Sequence, residues 1–267
     1  MQRTIKTGSI SFANDLPMVL IGGMNVLGSE QLALQVAESF VSICDELKIP
    51  YVFKASFDKA NRSSINSFRG PGLDEGLRIL QKVKQEFSGP ILTEVHEPGQ
   101  AAAAAEVADI IQLPAFLSRQ TDLVKAMAAT GALINIKKAQ FLAPWDITNI
   151  VEKVTSTGNS QILITERGTM FGYNNLVADF RSIKIIQDTG WPVIFDATHS
   201  IQLPGGAGTS SGGQREFAPI LAGAAVAAGA DGLFLEVHPT PDKALCDGPN
   251  SLKLDTLYDL FSRLKAI

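Results

Sequence analysis

The stretch LINIKKAQFLAPWDITNIVEKVTSTGNSQILITER, residues 133–167, decides the fold. It opens on a short apolar run, Leu133–Lys137, rich in branched side chains. A helix-patterned segment, Asp146–Thr157, follows, and then a second apolar run, Ile162–Glu166. Two short apolar runs joined by a helical pattern read as a βα unit with parallel pairing. The same alternation extends both ways. Upstream, strand-like runs fall at Met18–Gly22, Tyr51–Lys54, Ile91–Val95 and Ile110–Leu113; downstream, at Val193–Asp196 and Gly232–Val237. Helix-like stretches lie between them at Glu30–Leu47, Leu73–Phe87, Asp122–Thr130, Val177–Asp188 and Phe217–Ala228, and Ala101–Ala105 is a short helical run. Eight strand–helix units favour closure into an α/β barrel of the TIM, (β/α)₈, type over an open doubly wound sheet. No glycine-rich dinucleotide fingerprint follows the first strand, which also disfavours the open sheet. The start, Arg3–Phe12, alternates weakly and predicts a short N-terminal hairpin or cap. No linker divides the chain, so residues 1–267 are expected to form one barrel domain.

Composition narrows the function classes. The chain has 267 residues, 45% hydrophobic and 19% charged, as in ordinary globular proteins. Its net charge of −4 offers nothing to a nucleic acid or an anionic membrane. Any cluster of cations must therefore be local. Two cysteines, Cys44 and Cys246, make no disulfide framework and fit a reducing compartment. Cys44 lies in a helical pattern and reads as core. The start lacks a signal-peptide apolar region, and no run is long enough to span a bilayer. A cytoplasmic location is expected.

The strand ends carry the chemistry. In order they finish at Asn25; Lys54; Glu94 and His96; Gln112; Lys137 and Lys138; Glu166 and Arg167; Asp196 and His199; Glu236 and His238. In a barrel these positions converge on one face, where active sites of this fold sit. Lys54, Lys59, Arg62, Lys137 and Arg167 gather there. Like charges this close repel unless anions bind between them, and guanidinium forks and ammonium groups suit phosphate and carboxylate. The alternative is that some of them pair with Glu94, Glu166, Asp196 or Glu236. His199, Glu236 and Asp247 could bind a divalent metal, or orient substrate hydroxyls and move protons. His96 and His238 read as strand-end histidines bonded to backbone or carboxylate. The glycine-rich run 204–213 after the seventh strand is either a floppy surface loop or a lid over the catalytic face.

At Lys54-Ala55-Ser56-Phe57-Asp58-Lys59-Ala60-Asn61-Arg62-Ser63-Ser64, followed by Phe68-Arg69-Gly70-Pro71-Gly72, the sequence closely resembles the 3-deoxy-D-manno-octulosonate 8-phosphate synthases. The likeness continues through Gln112-Leu113-Pro114-Ala115-Phe116, Asn135-Ile136-Lys137-Lys138, Glu166-Arg167-Gly168 and Phe171-Gly172-Tyr173-Asn174-Asn175-Leu176. It ends with Asp196-Ala197-Thr198-His199-Ser200 and Glu236-Val237-His238-Pro239, and so covers nearly the whole chain. The related synthase that uses erythrose 4-phosphate shares the fold but differs in the Lys59–Ser64 motif.

The resemblance implies a transferase that joins phosphoenolpyruvate to D-arabinose 5-phosphate and water, in a homotetrameric barrel. Lys54, Ser56, Lys59, Gln112, Lys137 and Arg167 match family positions that hold phosphoenolpyruvate. Asn61, Arg62 and Ser63 match those that bind the sugar phosphate, Arg62 and Ser63 reaching from a neighbouring subunit. Glu236 is placed with them. Asn25, Lys137, His199 and Asp247 are the expected catalytic set. His199, Glu236 and Asp247 also match three positions of the family's metal or pseudo-metal site. Two departures stand out. Metal-dependent members carry a cysteine where this chain has Asn25, and an amide is a poor ligand for zinc or iron beside a thiolate. With the Cys246-Asp247-Gly248 form, this implies the metal-independent class, with Asn25, His199, Glu236 and Asp247 as a pseudo-site and no cofactor. Glu94 stands where aspartate is more usual. The competing readings are a synthase for another aldehyde, a Schiff-base aldolase using Lys137 or Lys138, and a barrel that only senses a sugar phosphate.

Overall fold

The computed structural model describes residues 2–267. An antiparallel hairpin, β1 (Ile5–Thr7) and β2 (Ile10–Phe12), comes first, resolving the choice between hairpin and cap. It closes the N-terminal mouth of the barrel. Arg3 donates its backbone N–H to Gly190 O at 2.9 Å, and its guanidinium stacks 4.0 Å from the centre of the Trp191 ring. Ile5, Ile10 and Phe12 are buried beneath.

Six barrel strands come next, β3 (Val19–Val26), β4 (Tyr51–Ser56), β5 (Ile91–Glu94), β6 (Ile110–Leu113), β7 (Leu133–Lys137) and β8 (Ile162–Glu166), followed by a small hairpin of β9 (Thr169–Met170) with β10 (Leu176–Val177). Then come β11 (Val193–Asp196), a second small hairpin of β12 (Gln202–Leu203) with β13 (Gly212–Gly213), β14 (Gly232–His238) and β15 (Leu252–Lys253). The order β11-β8-β7-β6-β5-β4-β3-β14 is parallel throughout, and β14 pairs with β11 to close the ring. Every barrel residue from Val19 to Val26 and from Ile162 to Glu166 is buried, as strands covered on both faces must be.

Among the described residues eight α-helices follow the strands: α1 (Glu30–Leu47), α2 (Leu73–Phe87), α3 (Ala101–Val107), α4 (Thr121–Ala129), α5 (Ile147–Thr155), α6 (Arg181–Gln187), α7 (Ala218–Ala227) and α8 (Leu257–Lys265). The Ser29 hydroxyl caps α1 by accepting from Leu32 N, and Lys48 ends it in the left-handed conformation. Cys44 is in the core, as its helical position predicts.

Two boundaries differ from the sequence expectation by more than two residues. The helix expected from Val177 begins at Arg181, because Val177 pairs with Thr169 in the small hairpin. The first barrel strand runs past Gly22 to Val26. Its register against β4 shifts between Gly23 and Val26, a bulge. Gly23 makes the bulge possible: a Cβ there would stand 2.1 Å from Lys54 O. The bulge turns Asn25 toward β14, and its exposed carbonyls are met by Lys54, whose Nζ donates to Asn25 O at 3.0 Å and Met24 O at 3.3 Å.

Candidate active site

The C-terminal ends of the strands meet in a cleft with Lys59, Arg62, Lys137, Arg167, His199 and Asp247 on its wall. Asn61 and Ser63 stand at its rim, and Arg62 and Ser63, expected to serve a neighbouring subunit, line the cleft of their own chain. Lys54, Ser56, Gln112 and Glu236 are almost wholly buried and form the layer below. The 204–213 run forms the turn and second strand of the β12–β13 hairpin, and Pro204, Gly205, Ser210 and Ser211 line the cleft.

Barrel closure pairs most of the cations. Lys54 Nζ lies 2.6 Å from Glu236 Oε1, Lys59 Nζ 2.5 Å from Glu94 Oε1, and Lys137 Nζ 2.6 Å from Asp196 Oδ2. The repulsion expected among five gathered cations is therefore largely cancelled. The alternative of carboxylate partners holds for these three. Two guanidinium groups differ. Arg167 donates from Nη2 to Gln202 Oε1 at 2.7 Å, while its buried Nη1 has no hydrogen-bond partner among the described residues. Arg62 donates to Phe68 O at 3.2 Å. Burial lowers the Arg167 pKa in spite of Asp196 and Glu166 nearby, so the cleft wall holds a desolvated cation with donors to spare.

Below the cleft a polar chain crosses the barrel. Glu94 accepts from Ser56 Oγ at 2.7 Å and Gln112 Nε2 at 3.1 Å, besides Lys59. Gln112 Oε1 accepts from Asn135 Nδ2 at 3.0 Å, and Asn135 Oδ1 from Thr165 Oγ1 at 2.7 Å. Asn135 and Thr165 were not singled out by sequence, although polar residues inside buried strands are the signal that finds them. Glu94, the residue standing where aspartate is more usual, is the junction of this chain. Burial opposes its charge, but Lys59 and Lys54 hold its carboxyl well below the usual range.

The opposite wall is built around His199. Its Nδ1 lies 2.7 Å from Asp196 Oδ2, which also receives Lys137. The Lys137 ammonium sits 4.1 Å above the Phe234 ring centre, a cation–π contact that sequence reading missed. His199 Nε2 faces Glu236 Oε2 at 3.4 Å and Asp247 Oδ2 at 3.8 Å. One ligand atom each from His199, Glu236 and Asp247 falls within 4.8 Å of the others, so the three do come together. Asn25 Nδ2 donates to Glu236 Oε2 and, at 3.1 Å, to Asp247 Oδ2. Asp247 is left-handed at φ 48°, a conformation aspartate tolerates. Burial alone would raise the Glu236 pKa, but His199 and Lys54 lower it to about 2. Burial works against a charged His199 as well, yet Asp196 and Glu236 raise its pKa.

The shift on His199 has a testable sign. Its folded pKa lies above the unfolded value near 6.5. The stability it contributes is full below about 6.5 and is lost as pH rises through the folded value. In denaturant titrations with chelator present, the wild type should exceed His199→Gln most at pH 6 and least at pH 9. A margin that widens with pH would contradict the charge assignment.

Two histidines complete the census. His238 Nδ1 accepts from Thr240 N at 3.0 Å, the backbone role expected. The His96 ring differs: among the described residues neither nitrogen has a hydrogen-bond partner, and Glu94 is 4.0 Å away. No helix of the described residues is long and apolar enough to cross a membrane.

The model of the DAHP synthetase I family matches residues 2–266. Proteins named 2-dehydro-3-deoxyphosphooctonate aldolase are similar over the whole length. That of Geotalea daltonii is 58% identical, covering 100% of this chain and 98% of its own. That of Hahella chejuensis is 60% identical over 99% and 94%, and that of Desulfosudis oleivorans 62% over 100% and 96%. A match of this extent, on a closed eight-stranded barrel with its cations and carboxylates at the strand ends, leaves one assignment: the chain belongs to the DAHP synthetase I family.

Proposed function

We propose that this chain is the transferase its relatives' name describes, condensing phosphoenolpyruvate with D-arabinose 5-phosphate and water. The products are 3-deoxy-D-manno-octulosonate 8-phosphate and inorganic phosphate, and the sugar serves lipopolysaccharide synthesis. The observation that carries the reading is the cleft wall, where buried Arg167 has donors to spare beside Lys137. Such a wall is incomplete without an anion.

In the reaction, C3 of phosphoenolpyruvate bonds to the aldehyde carbon of the sugar. Water adds at C2, and the C2–oxygen bond to phosphate breaks, leaving the ketone and free phosphate. Lys137 and Arg167 hold the phosphate of phosphoenolpyruvate and stabilise its charge through both steps. Lys59 reaches the same anion from the facing wall, with Lys54, Ser56 and Gln112 supporting it from below. Lys137 also donates toward the charge that develops near C2. Asn61, Arg62 and Ser63 hold the sugar phosphate at the rim, which fixes the aldehyde near C3. His199 and Asp247 face the cleft as the two candidates to activate water.

The reading includes no metal. His199, Glu236 and Asp247 could surround a cation, but the Asn25 amide hydrogens already go to both carboxylates. An amide is a poor ligand for zinc or iron beside a thiolate, and with its N–H donors directed at both carboxylates this set is less suited to a tightly held divalent ion. We place the protein in the metal-independent class, as a cytoplasmic homotetramer.

The first experiment is phosphate release from phosphoenolpyruvate with arabinose 5-phosphate, run with and without a strong chelator, and with erythrose 4-phosphate as the competing aldehyde. Activity with arabinose 5-phosphate that persists in chelator is expected. Loss in chelator, restored by one divalent metal, would overturn the metal-free assignment and keep the reaction. Turnover only with erythrose 4-phosphate would overturn the choice of aldehyde. A second prediction concerns the rim. Arg62→Ala should raise KM for arabinose 5-phosphate about ten- to a hundredfold, the worth of one charged hydrogen-bonding group, and leave KM for phosphoenolpyruvate largely unchanged. Equal loss for both substrates would remove Arg62 from that role.

A further inference from the structure

Lys138 is the one strand-end cation for which the proposed reaction has no use. It points away from the cleft, is fully buried, and carries its ammonium into the gap between two loops. Nζ donates to Leu142 O at 3.0 Å, Ala139 O at 3.2 Å and Thr169 Oγ1 at 3.5 Å, and lies 3.5 Å from Glu166 Oε2. Its acceptors therefore belong to both the loop after β7 and the loop after β8. Glu166 completes the tie. Its Oε1 accepts the Gly168 N–H at 2.6 Å, folding the chain tightly around Arg167, and Gly168 is left-handed at φ 86°. Between the loops Met170 N donates to Gln140 O at 2.8 Å.

A buried ammonium costs far more than an apolar side chain of the same length unless its donors are met. Here they are met within the two loops, and Lys138 and Glu166 themselves each adjoin one of the two cations of the cleft wall. Lys137 precedes Lys138, and Arg167 lies between Glu166 and Gly168. We propose that Lys138 and Glu166 are a positioning pair: they lock the β7 and β8 loops together so that Lys137 and Arg167 converge on one anion. The proposal rests on the reading that this anion is phosphoenolpyruvate. Support of a binding group by its neighbours is worth about ten- to a hundredfold at comparable sites.

Steady-state kinetics of the full chain test it, with unfolding curves as a check on folding. Lys138→Met removes the charge and keeps the length. It should raise KM for phosphoenolpyruvate about ten- to a hundredfold and leave KM for arabinose 5-phosphate nearly unchanged. Lys138→Met with Glu166→Gln should be no worse than Lys138→Met alone, since partners in one interaction are not additive. If Lys138→Met fails to fold, Glu166→Gln carries the test: its amide oxygen still accepts from Gly168 N, and the same split between the two KM values is expected. Arg167→Ala separates the two ideas. If it leaves KM for phosphoenolpyruvate unchanged, the anion reading fails. If it raises that KM while the Lys138 and Glu166 variants raise both KM values equally, or neither, the positioning pair alone is rejected.

Discussion

Arg167→Ala should lower kcat/KM for phosphoenolpyruvate by about a hundred- to a thousandfold, the usual loss for one donor aimed at developing charge. The protein should nevertheless stay as stable as the wild type, or become more so. The two effects have one cause. Arg167 is 4% exposed and, among the described residues, donates to Gln202 alone and leaves Nη1 without a partner. Without ligand, the fold bears the desolvation of a cation that lacks a paired carboxylate. Removing the guanidinium relieves that cost and sacrifices some packing of the stem. With ligand, the same donors meet phosphate oxygens, and the loss falls entirely on binding and turnover. Kinetics and a denaturant titration on one preparation check both halves. A loss of activity below about tenfold would remove Arg167 from the anion site on the same scale. A large drop in stability would mean that Arg167 is chiefly a structural group.

The barrel itself was legible in the sequence because parallel strands covered on both faces read as continuous apolar runs. Leu133–Lys137 and Ile162–Glu166 begin and end where the sequence places them. The exceptions come from contacts that periodicity does not carry. The first apolar run ends at Gly22 in the sequence, yet the strand continues through a bulge to Val26, which pairs with Ser56 of β4. Val177 looks like the first turn of a helix, but a local hairpin takes it. The candidate site divides in the same way. That charged residues crowd the strand ends is a sequence property. Which carboxylate each cation meets depends on closure: Lys54 and Glu236 lie 182 positions apart and touch only because the first and last barrel strands are neighbours. Phe234 beneath Lys137 likewise depends on the ring being closed, whereas Gln202 meets Arg167 across the paired strands β8 and β11.

The Lys54–Glu236 pair should show the largest effect on stability. Lys54 is fully buried, 2.6 Å from Glu236, and it also satisfies the two bulge carbonyls. Lys54→Met leaves Glu236 charged beneath the cleft with one cation fewer, and breaking a buried pair from one side costs about 3–5 kcal/mol. Lys54→Met combined with Glu236→Gln should recover part of that loss, because no charge is then left alone. The deficit of Lys54→Met should also depend on pH. The Glu236 pKa falls from 4.5 to about 2 in the fold, with Lys54 among the causes after His199. A depressed carboxyl stabilises the fold above its unfolded pKa, and that contribution is lost as pH falls through the folded value. Lys54→Met returns the carboxyl toward its ordinary range, so it keeps less of this term. The gap between wild type and variant should be full above pH 4.5 and narrow as pH falls toward 2. Urea titrations of the wild type, Lys54→Met and the double variant from pH 7 downward read this directly. A deficit below about 1 kcal/mol, or a gap that stays constant as the carboxyl protonates, would show that the pair contributes no more than a surface ion pair, despite its burial.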